Sequence, residues 1–127
     1  MEKVTISTDD APKPPAAFAQ AARKGNILQV AGQVAFDPHT GEVVGTTVTE
    51  QTRQTFRNLE AILAASGASF ADVVMVRVYL TETAHFAEFN KVYGTLVSEP
   101  LSARTTVYVG LPEPLLVEID VLAVLDS

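Results

Sequence analysis

Thr49-Glu50-Gln51-Thr52-Arg53-Gln54-Thr55-Phe56-Arg57-Asn58-Leu59-Glu60-Ala61-Ile62-Leu63-Ala64-Ala65-Ser66 is followed, after a short polar break, by Val73-Val74-Met75-Val76-Arg77-Val78-Tyr79-Leu80. Between these two runs the hydrophobic period changes. In the first, Phe56, Leu59, Ile62 and Leu63 recur at helical spacing, while Glu50, Arg53, Arg57 and Glu60 are free to face water. Thr47 or Thr49 can cap the start, and Gly67 stands where a helix-ending glycine belongs. The second run is rich in β-branched residues and bounded by turn formers, which predicts a strand.

Working outward toward the N-terminus, residues 17–22 and 27–31 flank Arg23-Lys24-Gly25-Asn26 and predict a hairpin turning at Gly25-Asn26. Asp37-Pro38-His39-Thr40-Gly41 is a second tight turn. Ala11-Pro12-Lys13-Pro14-Pro15 reads as an extended entry segment, since each proline biases its predecessor away from helix. Val4-Thr5-Ile6-Ser7, ahead of it, fits a short edge strand.

Toward the C-terminus, Thr83 opens a second helix with Phe86, Phe89, Tyr93, Leu96 and Val97 on one stripe, and Pro100 closes it. Strands are expected over 104–109 and 115–125, with Gly110-Leu111-Pro112-Glu113-Pro114 between them. Strands, helix, strand, helix, strands is an α+β order, which predicts one sheet with two helices on one face. No repeat or linker divides the chain, and 127 residues make a single domain, 1–127.

Such a two-layer unit leaves the second sheet face bare. Hydrophobic residues make up 47% of the chain, an excess that other subunits would cover, so an oligomer is expected. Nine Lys and Arg against fifteen Asp and Glu give a net charge of −6, the wrong sign for a nucleic-acid binder. Cysteine is absent, which removes disulfides, thiolate nucleophiles and cysteine-based zinc sites together. His39 and His85 are the only histidines and form no H-E-x-x-H motif, so a zinc enzyme is not expected. No Gly-rich phosphate cradle and no membrane-length apolar run occur, and Met1-Glu2-Lys3-Val4 does not read as a signal peptide. A cytoplasmic location with no membrane partner is the expectation.

The stretch Leu116-Val117-Glu118-Ile119-Asp120-Val121-Leu122-Ala123-Val124 carries the chemistry. Strand alternation puts Glu118 and Asp120 on the same face, about 7 Å apart. A carboxylate in an apolar strand costs several kcal/mol unless it is paired or protonated. Two readings stay open for Glu118: a general acid or base with a raised pKa, or half of a structural ion pair with Arg77, which interrupts its own apolar strand in the same way. The structural role is the weightier one for Asp120. Arg104, leading into a β-branched strand, can present its fork to a carboxylate ligand or serve as an ordinary surface residue. Asn90 on the second helix reads as a surface residue or a ligand contact. Phe18, Phe86, Phe89 and Tyr93 read as core, and His39 and His85 as solvent-facing. Thr105 and Thr106 read first as strand residues.

Three motifs together resemble the Rid family of reactive-intermediate deaminases, also called the RidA/YjgF or L-PSP family. Ala103-Arg104-Thr105-Thr106-Val107-Tyr108-Val109-Gly110-Leu111-Pro112, then Val117-Glu118-Ile119-Asp120, is similar to the family signature R-[ST]-x-V, L-P, V-E-I-[ED]. Val30-Ala31-Gly32-Gln33-Val34 and Asp37-Pro38-x-Thr40-Gly41-Glu42 resemble S-G-Q-[IV] and P-x-T-G-E. Phe86-Ala87-x-x-Asn90-x-x-Tyr93 is the third. The resemblance covers nearly the whole chain, in order.

It implies a chorismate-mutase-like α+β fold, a homotrimer with clefts between subunits, and hydrolysis of 2-imino or 2-enamino acids to 2-keto acids and ammonia without metal or cofactor. By the same resemblance Arg104 grips the substrate carboxylate, Glu118 positions or activates water, and Asn90 is the helical asparagine of the site. Phe18 stands where the family has a pocket tyrosine, Ala31 where it often has serine and Thr106 where it commonly has cysteine. The lost hydroxyls make a drier pocket and imply a deaminase with shifted preference. The alternatives are a small-carboxylate-binding relative without catalysis and a specialised catabolic enamine deaminase acting on an aminomuconate-like substrate. The ribonuclease activity historically attached to the family is opposed by the acidic charge.

Overall fold

The computed structural model of the chain describes residues 1–126; Ser127, the last residue of the domain expected over 1–127, lies outside them. Six strands and two helices follow one another as β1 (Val4–Ile6), β2 (Ala21–Lys24), β3 (Ile27–Gln33), α1 (Val48–Ala65), β4 (Val73–Leu80), α2 (Phe86–Leu96), β5 (Ala103–Tyr108) and β6 (Val117–Val124). The strands form one mixed sheet in the order β1-β2-β3-β6-β4-β5. Among the described residues only β4 and β5 pair in parallel, and that pairing requires a crossover, which α2 supplies. This is the α+β architecture read from the sequence, a single sheet with two helices.

Alternation on β6 builds the core. Val117, Ile119, Val121 and Ala123 are fully buried on one face, together with Val76, Val78 and Leu80 of β4 and Leu28 and Val30 of β3. Phe56, Leu59, Ile62 and Leu63 of α1 and Phe89 of α2 complete the cluster. The ring of Phe56 stacks on Phe70 at 5.0 Å and meets Tyr93 edge-on at 5.8 Å. Truncating such a side chain to alanine typically costs about 3–5 kcal/mol.

Both ends of α1 are capped as its sequence indicates. Thr47 is the cap, its hydroxyl accepting from the Glu50 amide, while Glu50 accepts in return from the Thr47 amide. At the far end Gly67 takes a positive φ of 75°, and the amides of Gly67 and Ala68 close back onto the carbonyls of Ala64 and Leu63.

Three local expectations need correction. Residues 17–20 are irregular, and the strand expected there begins only at Ala21 and runs through Lys24, because the prolines before it and a tight turn at Ala16–Phe18 hold the chain out of register. The expected second helix starts as a single 3-10 turn, Thr83–His85, and α2 ends at Leu96, well before Pro100, where Val97 is already extended. His85 does not face solvent: its side chain is 23% exposed and its Nδ1 is buried without a hydrogen-bond partner. No helix of the described residues is long and apolar enough to cross a membrane.

Candidate active site

The antiparallel register of β4 with β6 sets Arg77 opposite Asp120 and Tyr79 opposite Glu118, all on the helix-free face. Arg77 therefore pairs with Asp120, and the expected Arg77–Glu118 pair is not formed. The correction has a simple cause: directly opposed residues are closer than diagonal ones. Asp120 also accepts from the Tyr79 hydroxyl at 2.7 Å and from Gln29 Nε2 at 3.3 Å. The hydrogen bond to Asp120, followed by burial, pushes the Tyr79 phenol up to about 12, so it remains a donor at any physiological pH.

Glu118 has no such partners. None of the described residues hydrogen-bonds or ion-pairs with its carboxylate, which is half-buried. Burial, reinforced by the charge of Asp120 two residues along, raises its pKa above the ordinary glutamate value. The carboxylate opens into a cavity of about 520 Å³ whose walls are largely apolar: Pro12, Pro14, Phe18, Val34, Phe36 and Pro38. Two buried amides hold these walls in place. Gln20 donates to the carbonyls of Thr8, Ala11 and Pro12 and accepts from the Thr8 amide, fixing the proline-rich segment. Asn58 on α1 donates to the carbonyls of Val34 and Phe36 at 3.0 and 2.9 Å, fixing the other side.

Phe18 was expected in the core. It is instead 53% exposed at this cavity, because the irregular segment that carries it lies over the sheet margin. Phe86, the first residue of α2, is likewise exposed at 41%, while Phe89 one turn on is fully buried. Ala31 sits beside Gly32, a cavity-lining residue, in the irregular part of the β3–β6 pairing.

Arg104 lies elsewhere. On β5 it is in register with the buried Val76, which places it on the helix-covered face at the sheet edge. Its guanidinium rests over the rings of Tyr93, Phe89 and Phe86, with the carbon 4.8, 5.4 and 5.9 Å from their centroids. Nη2 donates to Asn90 Oδ1 at 2.7 Å. Among the described residues no carboxylate lies within ion-pair distance of it, so the cradle holds a cation with no internal counter-ion. Thr106, two residues along the same face, has a buried hydroxyl with no hydrogen-bond partner.

The residues singled out in the sequence thus fall into two groups: Arg104, Asn90 and Thr106 on one face, Glu118, Phe18 and the neighbourhood of Ala31 at the other. One chain does not bring the groups together. Gln20, Asn58, Tyr79 and Gly32 were missed as contributors to the site. For Tyr79 a signal existed, since it shares strand parity with Arg77. Among the described residues no group of three His, Cys, Asp or Glu side chains is placed to hold a metal ion.

Residues 8–125 match the family described as Endoribonuclease L-PSP. A RutC family protein of Pyrococcus horikoshii is 44% identical over 122 residues, covering 95% of this chain and 97% of its own. The 2-iminobutanoate/2-iminopropanoate deaminase of Dermatophagoides farinae is 34% identical, covering 98% of both chains. Among solved structures, RidA from the Antarctic bacterium Psychrobacter sp. PAMC 21119 superposes with a TM-score of 0.91 at 39% identity, covering 96% of this chain and 99% of that one.

Proposed function

Because the chain belongs to the Rid (RidA/YjgF/L-PSP) family, we propose that it hydrolyses 2-imino and 2-enamino acids to 2-keto acids and ammonia. The observation that carries this reading is Arg104, a cation fixed on three aromatic rings and on Asn90 with no acidic partner among the described residues. A guanidinium so held is preorganised for a carboxylate, and the carboxylate of a 2-imino acid supplies the missing charge. Thr106, with its unused hydroxyl, lies beside it.

Glu118 supplies the base. The imine C2 is already electrophilic, so the protein must align water with it and accept a proton. As the water oxygen bonds to C2, the C=N electron pair moves to nitrogen, which takes up a proton. The Glu118 carboxylate receives the proton that water gives up. The C–N bond of the resulting carbinolamine then breaks: nitrogen leaves as ammonia, taking back a proton, and the hydroxyl oxygen loses its own to become the keto oxygen. One imine and one water thus become one keto acid and one ammonia.

With Arg104 and Glu118 on opposite faces of one sheet, a substrate touching both must lie between two copies of the chain. The helix-free face offers the surface for such an assembly, carrying Met75, Leu122 and Val107 around the Arg77–Asp120 pair. Three copies related by a rotation axis would give three equivalent clefts, the homotrimer that the family resemblance implies. The apolar cavity beside Glu118 favours imines with apolar side chains over small polar ones.

The test is direct. 2-Iminopropanoate and 2-iminobutanoate are generated in situ and their decay followed with wild type and with Arg104→Ala. Acceleration by wild type alone supports the reading. No acceleration from a folded oligomer would reduce the protein to a binder of small acids.

A further inference from the structure

Gly32 has no conformational reason to be glycine. Four other glycines, at 25, 41, 45 and 67, adopt positive φ, and Gly32 is not among them. What forbids a side chain there is Glu118. A Cβ built on Gly32 would lie 3.0 Å from Glu118 Cδ, 3.3 Å from its Cγ and closer still to Oε2. The Glu118 carboxylate occupies the space that the Cβ of any other residue would fill.

We propose that Gly32 is the positioning residue for the Glu118 carboxylate, a seat that fixes where this group meets its substrate. The role matters because no hydrogen bond or ion pair among the described residues holds it. Asp120, on the same strand face, is tied by Arg77, Tyr79 and Gln29. Glu118 has no hydrogen-bond partner among the described residues, so packing against the Gly32 backbone sets its place. Both residues line the same cavity. The β3–β6 register shifts between Val30 and Gln33, so the pairing irregularity falls at Gly32.

A glutamate is a flexible neighbour. Placing a methyl at position 32 would therefore turn the Glu118 side chain to another rotamer rather than unfold the sheet. Misplacement of a reacting group by about 1 Å costs roughly 100-fold in rate. The catalytic part of this inference rests on Glu118 acting as the base; the seating itself does not.

The experiment compares wild type with Gly32→Ala in three readouts: thermal melting with oligomeric state, the carboxyl titration of Glu118 followed by NMR in 13C-glutamate-labelled protein, and kcat and KM on 2-iminopropanoate. Melting and assembly should be unchanged. The Glu118 titration should move toward the ordinary glutamate value, and kcat should fall roughly 100-fold with KM altered much less. Glu118→Asp, whose shorter side chain relieves the clash, should cost less in the Gly32→Ala background than in wild type. An unmoved titration, or a lowered melting temperature with kcat intact, overturns the proposal. If wild type fails to hydrolyse imines while the titration still moves, the deaminase reading falls and the seat stands. If wild type is active and neither titration nor kcat responds, the seat falls and the deaminase reading stands.

Discussion

Arg104 and Glu118 belong to one sheet yet project from its opposite faces, Arg104 in register with the buried Val76 and Glu118 with Tyr79 on the helix-free side. A site that needs both must take one from each of two subunits. Arg104→Ala and Glu118→Gln, each inactive alone, should then complement each other. When the two proteins are unfolded, mixed in equal amounts and refolded together, about one quarter of the clefts combine an intact Arg104 with an intact Glu118. Imine hydrolysis should return to about that fraction of wild type. A mixture as inactive as its parents would place both residues in a site within one chain or remove one of them from it.

Arg104 itself should resist conservative replacement. The guanidinium spans three rings and still reaches Asn90, which a lysine ammonium cannot reproduce with its single charged point. Arg104→Lys and Arg104→Ala should both weaken binding of a 2-keto acid product, the alanine variant by about 2–4 kcal/mol, or roughly 30- to 1000-fold. Isothermal titration with 2-oxobutanoate measures this. Equal affinity in wild type and alanine variant would show that the carboxylate binds elsewhere.

The amino-acid pattern made β4 and α1 legible because their signals are unmixed: β-branched residues between turn formers in 73–80, helical spacing in 49–66, a capping threonine and a terminal glycine. It failed at residues 17–20, where an apolar run that reads as strand is lifted away by prolines and becomes a cavity wall. Phe18 is exposed for that reason, and only its place at the family's pocket tyrosine, not the local hydrophobic pattern, separates it from a core residue. Glu118 and Asp120 were legible as a pair on one face. Their division of labour was not, since it depends on the register of β4 against β6. One residue of slip would hand Arg77 to neither of them.

Asp120 should prove structural. It is the acid of the Arg77 ion pair, its side chain being only 13% exposed. Asp120→Asn keeps the shape but strands Arg77, and should destabilise the fold by about 1–3 kcal/mol. The low end applies where water reaches Arg77, whose side chain is 38% exposed. In a double-mutant cycle, Arg77→Met with Asp120→Leu should cost less than the sum of the single changes. Additive losses in urea denaturation would show that the pair contributes nothing of its own.

Phe18 should govern substrate choice. It is a large apolar side chain exposed at the rim of the Glu118 cavity. Phe18→Ala should lower kcat/KM for the imine of leucine roughly tenfold, and much less for 2-iminopropanoate, whose methyl is too small to need that wall. Equal losses on both substrates would make Phe18 a support for the loop rather than a contact.

Glu118 should make stability and activity run in opposite directions over the same pH window. Burial first, and the Asp120 charge second, raise its native pKa above the ordinary glutamate value. As pH rises, the unfolded chain therefore releases this proton before the native chain does. The stability linked to Glu118 is fully present below the ordinary glutamate pKa and is lost as pH climbs through the raised native one. Glu118→Gln abolishes that loss, so in denaturant melts it should gain on wild type steadily between these two values and keep its advantage above them. A base must be deprotonated, so wild-type turnover should rise across the same interval, with its acid limb above the ordinary glutamate pKa. Asp120→Asn should move that limb only part of the way down, because burial is the larger cause. An acid limb at the ordinary glutamate value, with no pH-dependent advantage for Glu118→Gln, would show that the carboxylate is as well solvated as any on the surface and unsuited to the role given to it.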